Sequence, residues 1–173
     1  MNRARVAAAI AALLTALLLQ ATVIGPVTNP LPISLPAVLI AAIALVDGPG
    51  AGIAFGFATG LIADLGSAHP AGVFALCWLG IGVVCGMCAT PRSRALRNII
   101  TATIVCGAAS VAGGLVLGLV GPGIVLDDVV RHGILATFGD LVLAVLVVPI
   151  VRLFLRSSTL RPPRPVFLIG AEQ

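Results

Sequence analysis

Gly48, Gly52, Gly56 and Gly60 follow one another at a spacing of four, and Asp64 stands at the next step. Residues four apart lie over one another on a helix, so this row makes a helix side almost bare of side chains. Each interior glycine costs a helix in water about 1 kcal/mol relative to alanine. A helix that keeps four of them needs close backbone packing in return. The interior of a membrane bundle provides it.

The remainder of the chain agrees. Of its 173 residues 60% are hydrophobic and 9% charged, and the mean hydropathy is +1.19. An ordinary soluble domain is about 25% charged and about half apolar, so this is an integral membrane protein. The length suits a single transmembrane domain at 1–155, followed by a cytoplasmic tail at 156–173. A net charge of +4 and a pI near 9.5 would suit nucleic acid. The ten basic residues, however, are all arginine and sit mostly between apolar runs. There they orient the chain in its bilayer, and no nucleic-acid partner is expected.

In chain order, Val6 to about Ile24 forms a first span after Arg3 and Arg5. A cleavable signal peptide is the competing reading; the length of the run and the lack of a small-x-small site argue against it. Gln20 and Thr22 near the end of this span read as interfacial or bundle-facing. Pro26, Pro30, Pro32 and Pro36 mark an extended loop that ends at a helix start, with Ser34 as its cap. The next run, Leu35 to Val46, covers about 18 Å of a hydrocarbon core about 30 Å thick, which suits either a re-entrant hairpin or a short span. Charge parity favours the span. Otherwise Arg92, Arg94 and Arg97 would lie outside.

The glycine row then runs outward to Leu65, where Gly66 is expected as a left-handed cap and Pro70 as a stop. A fourth span, Ala71 to Ala89, carries Gly82 and Gly86. The fifth, Asn98 to Val120, repeats the spacing of four with Ala102, Cys106, Ser110, Gly114 and Gly118. The sixth begins near Val129 and ends near Leu155, with Pro149 expected to kink it. Nine arginines fall inside and only Arg131 outside, which supports six spans with both termini cytoplasmic. The expected fold is therefore an all-α membrane protein, a six-helix transmembrane bundle with the glycine row as its close-packed centre. A spacing of four winds about 40° per step, so Gly48 and Asp64 need not meet the same neighbour.

Asp64 and Asp140 lie within or at the edge of spans, where a carboxylate is costly and function is the default suspicion. One reading is a proton or cation path. His132 or Arg131, one or two turns from Asp140, would then be its partner. The other reading is that both acids accept hydrogen bonds from neighbouring helices and hold the packing. The second is preferred, because a relay needs more polar residues than Thr59, Ser110, Thr137 and the few others present. Cys85-Gly-Met-Cys88 has the spacing of a metal or redox pair but lies in an apolar helix with no second pair, so neither metal nor cofactor is expected. The chain has no lysine, and its glycines do not form a phosphate loop. Nothing in it supports catalysis.

Gly52-x-x-x-Gly56-Phe57-x-x-Gly60-Leu61-x-x-Asp64, followed by Pro70-x-Gly72-x-x-Ala75-Leu76, resembles the signature of MreD, the rod shape-determining membrane protein family of bacteria. The arginine start, the Leu19-Gln20 pair closing the first span and the proline late in the last span agree with it. The resemblance implies a non-enzymatic polytopic protein of the cytoplasmic membrane, sitting with an MreC-like scaffold protein. Its wider setting would be the elongation machinery, with the MreB filament, a RodA-type polymerase and a class B transpeptidase. It also implies a helix arrangement similar to the substrate-binding subunits of ECF vitamin transporters. Small-solute binding and proton-coupled transport through Asp64 and Asp140 are the alternatives. The site residues expected to form helix-packing or partner surfaces are Gly52, Gly56, Gly60, Asp64, Pro70, Gly72, Gly82, Gly86, Ser110, Gly114 and Gly118. For contact with a scaffold protein, the outer loop from Gly121 to His132 and the faces of the second and third spans are the expected places.

Overall fold

A computed structural model describes residues 3–28, 33–67, 72–89, 95–120 and 126–155. Pro70, expected as a helix stop, and the tail at 156–173 lie outside the described residues, as does most of the outer loop that starts at Gly121. Helix α1 (Arg3–Leu19) continues through a π-helical turn (Gln20–Ile24) into a last turn (Gly25–Thr28). There follow α2 (Leu35–Asp47), α3 (Pro49–Leu65), α4 (Val73–Met87), α5 (Ala95–Val120) and α6 (Leu126–Leu155), with no strand among the described residues. The π-turn has a local cause. Pro26 has no N–H to give to the carbonyl four residues back, and the Gly25 N–H bonds to the Gln20 carbonyl, five back.

The expected six-helix bundle is present. Three helices, α1, α5 and α6, are long and apolar enough to cross a membrane. The other three are shorter apolar helices of 13, 17 and 15 residues.

The centre of the bundle is α2, which corrects the expectation that the glycine row occupies it. Every residue from Pro36 to Leu45 is buried, and α2 packs on all five other helices. Alanines at 37, 41, 42 and 44 let the neighbours come close, while Val38, Ile40 and Ile43 fill the remaining space. Hydropathy gives no warning of this, because every span of a membrane protein is apolar all round. It also removes α2 from the candidate partner surfaces, since it has no free face. The large side chains that remain exposed, among them Leu14, Leu18, Phe57, Leu61, Leu76, Ile104, Phe138 and Leu153, lie on the outward sides of α1, α3, α4, α5 and α6.

The glycine row builds a tight hairpin between α3 and α4. A methyl group on Gly52 would fall on the Gly82 carbonyl, one on Gly56 on the Trp78 carbonyl, and one on Gly60 on the Ala75 backbone, all closer than 3.0 Å. From the other side, Gly82 meets Gly52 and Gly86 meets Pro49 in the same way. Gly52, Gly56 and Gly60 therefore face one neighbour. A helix inclined along the i, i+4 ridge follows the winding of a row spaced by four. The small-residue row of α5 plays a different part: Ala102 and Cys106 are buried, and Gly107, one step off the row, lies against Thr137 of α6.

Two joints need glycine. Gly48, between α2 and α3, has φ +88°, and Gly72, before α4, has φ +102°. Gly66 does not take the left-handed form expected of it, since its φ is −94°. The left-handed residue of this turn is Gly72 instead. Pro149 lies inside α6, which continues to Leu155.

At the end of the bundle where α1 begins, Arg5 Nη2 lies 2.8 Å from Asp47 Oδ1, tying the start of α1 to the end of α2. The same end carries Pro49 beside Gly86, the start of α5 with Arg97, and the end of α6 with Arg152. Arg131, exposed, belongs to the other end.

Candidate functional site

The short helices α2 and α4 both begin at half-buried residues packed against the bundle, and this creates a problem of unpaired backbone N–H groups. A helix start leaves its first N–H groups without intrahelical partners. In hydrocarbon each unpaired group costs several kcal/mol. The chain solves this with side chains drawn from other helices.

Asp64 serves α4. Its Oδ2 accepts the N–H groups of Gly72 and Ala75, and its Oδ1 accepts that of Phe74, all at 3.0 Å. An N-cap side chain ordinarily does this work from the residue just before the helix. That residue here is Gly72, whose positive φ excludes nearly every other residue type. The cap therefore comes from the last turn of α3. Asp64 is 4% exposed, and the negative carboxylate sits at the positive end of the α4 dipole. Three of its roughly four acceptor positions are filled, which leaves little capacity for ion coordination or proton relay.

Gln20 and Asp140 serve α2. The Leu35 N–H donates to Gln20 Oε1 at 3.0 Å, and Gln20 Nε2 donates to the Ile33 carbonyl at 2.7 Å. The Ser34 N–H donates to Asp140 Oδ1 at 3.3 Å. Pro36 has no N–H to satisfy. Ser34 stands at the expected cap position but makes no side-chain cap bond. Asp140 is fully buried, and its Oδ2 has no hydrogen-bond partner among the described residues. Of the two partners considered for it, Arg131 is exposed, and the side chain of His132 lies outside the described residues. No hydrogen bond or ion pair among the described residues joins Asp64 to Asp140, so the two acids serve different helices.

Beside these caps lies a cavity of about 780 Å³. Trp78, Phe74 and Ile81 of α4, Ala37 of α2, Ser110 and Gly114 of α5, Ala136 of α6, and the ends of α1 and α3 line it. Small residues on α5 and α6 leave this space open. Ser110 and Gly114, expected at a packing face, are instead half-buried parts of the cavity wall. Gly118 lies near the end of α5.

The structure thus gathers Gly52, Gly56, Gly60, Asp64, Gly72, Gly82 and Gly86 into one unit, the α3–α4 hairpin, and places Asp140 elsewhere. The capping role of Gln20 was missed, although an amide near the end of an otherwise apolar run was a usable signal. Arg5 was read as an orienting charge only. Asp47, the one acid at the α2–α3 turn, could have suggested the ion pair. Cys85 is buried and Cys88 exposed, so the two thiols face different surroundings.

A helical bundle with three long apolar helices, three short ones, and buried polar side chains spent on helix ends defines a polytopic membrane protein. The family model described as rod shape-determining protein MreD matches residues 3–158. The chain belongs to that family and is a rod shape-determining membrane protein. No curated protein and no solved structure matches it. The likeness to ECF substrate-binding subunits remains an implication of the family.

Proposed function

We propose that this chain is a non-catalytic subunit of the bacterial elongation complex, which holds an MreC-like scaffold protein in the cytoplasmic membrane and thereby organises peptidoglycan synthesis. The family match over residues 3–158 carries this reading. The use of Asp64, Gln20 and Asp140 on helix ends supports it, because each of these polar side chains accepts backbone N–H groups that the fold would otherwise leave unpaired. Through the scaffold protein the chain would stand beside the MreB filament, the RodA-type polymerase and the class B transpeptidase. Orientation with both termini in the cytoplasm is supported by the clustering of Arg3, Arg5, Arg97 and Arg152 at one end of the bundle. Residues 1–155 would act as the single transmembrane domain and 156–173 as a cytoplasmic tail.

The partner surface we favour is the outward side of α3, where Phe57 and Leu61 of the family-like signature are exposed while its glycines face α4. Depletion should round the cells, and a tagged copy should co-purify an MreC-like protein from membranes. Unchanged shape together with no co-purified partner would overturn the proposal. The second reading, ligand binding, is favoured by the 780 Å³ cavity alone.

A further inference from the structure

The cavity is open on one side, and its lining residues show where. The exposed ones are Leu18 and Ala21 of the first helical segment and Ile62 and Gly66 at the end of α3. Ala37, Trp78, Ile81, Gly133 and Ala136, at the back of the cavity, are buried. The mouth therefore lies between α1 and the end of α3, two helices that touch only lightly, whereas α1 leans chiefly on α2. Leu18 and Ile62 at the rim continue the exposed apolar rows formed by Leu14 on α1 and by Phe57 and Leu61 on α3. In a membrane, such rows face hydrocarbon. The mouth is thus lateral and opens into the bilayer.

Among the described residues, no charged side chain lines the cavity. Its described polar side chains are few: Gln20 is committed at both ends to the Ile33 carbonyl and the Leu35 N–H, the Ser110 hydroxyl donates back to the Cys106 carbonyl, and the Ser34 hydroxyl is a further one. Sites for polar solutes converge several placed polar groups on the ligand. This wall offers few. Apolar cavities are also poor hosts for water, and an empty one forfeits the dispersion contacts of its lining.

We propose that the cavity holds one hydrocarbon chain of a membrane lipid, which enters sideways between α1 and α3 from the leaflet at the end of the bundle where α2 and α4 begin. A partner's transmembrane helix fits less well. It is about 10 Å wide and would have to reach walls formed by the inward sides of all six helices. The proposal rests on the membrane assignment and not on the scaffolding role, so either can fail without the other.

Trp78 is the only tryptophan in the chain and is 7% exposed, buried within the bundle at the cavity wall. It can report the occupant directly. The full chain would be reconstituted in vesicles of phosphatidylcholine with brominated acyl chains, and its tryptophan emission compared with that in unbrominated vesicles. The same comparison would be made for Ala63→Phe at the mouth and Ser110→Leu in the wall, each checked for folding by circular dichroism. The expected result is that roughly half or more of the wild-type emission is lost to brominated chains and that most of it survives in a folded plugged variant. Emission untouched by brominated chains would overturn the proposal. So would equal quenching in wild type and both variants, which would mean contact with bulk lipid only, or quenching by aqueous acrylamide in place of brominated chains, which would mean a water-filled solute site.

Discussion

At the scale of single residues, the buried acids act on backbone. Asp64 holds three N–H groups of the first turn of α4 at 3.0 Å, whereas Asp140 holds one at 3.3 Å for α2. Replacing Asp64 by alanine would leave those donors unpaired at roughly 1–3 kcal/mol each, less whatever relaxation recovers. Asp64→Ala should therefore lower the unfolding midpoint in detergent strongly, and Asp64→Asn, which keeps one acceptor oxygen, should lower it less. Asp140→Asn should have the smallest effect of the three. A larger loss from Asp140→Asn than from Asp64→Ala would contradict this division of labour. That these acids accept hydrogen bonds from neighbouring helices was legible from their place in apolar runs. The identity of the donors was not, because Gly72 to Ala75 lie beyond a turn whose closure no local pattern dictates.

At the scale of elements, the α3–α4 hairpin is set by absent side chains. A methyl group at Gly56 meets the Trp78 carbonyl, which is backbone and cannot rotate away. Overpacking of this kind costs about 1–3 kcal/mol. Gly56→Ala should destabilise the bundle by at least that much, while Gly50→Ala, with nothing within 4 Å of the new methyl, should be close to neutral in the same thermal assay. The Arg5–Asp47 pair offers a second test. Removing one member of a buried pair costs about 3–5 kcal/mol through the charge left behind. Asp47→Ala should therefore reduce the folded yield in membranes, and exchanging the two residues, Arg5→Asp with Asp47→Arg, should restore part of it. The glycine spacing revealed a close-packed face in advance. Its partner, α4 rather than α5, was not revealed, since both candidates carry small residues every four positions.

At the scale of the whole molecule, three long helices and two short ones enclose α2, which is buried from Pro36 to Leu45. Short helices that start against their neighbours require caps from elsewhere, and that requirement accounts for Asp64 and for one oxygen of Asp140, the two acids a transport reading would have claimed. The number of helices and the end of the bundle that carries most arginines could be read from hydropathy and charge. The central position of α2 could not, because lipid-facing and protein-facing helices are equally apolar. The same holds for the cavity, which exists because small residues of α5 and α6 come together only when the bundle closes.

The central claim is that the acids build the fold and that the chain acts through what it holds. Its most direct test is the cell shape supported by Asp64→Asn combined with Asp140→Asn, scored per unit of folded protein in cells depleted of the native chain. Rod shape restored in proportion to the folded protein is the predicted result. A variant that folds to the normal level yet leaves the cells round would contradict the account and return the two carboxylates to a proton or ion path.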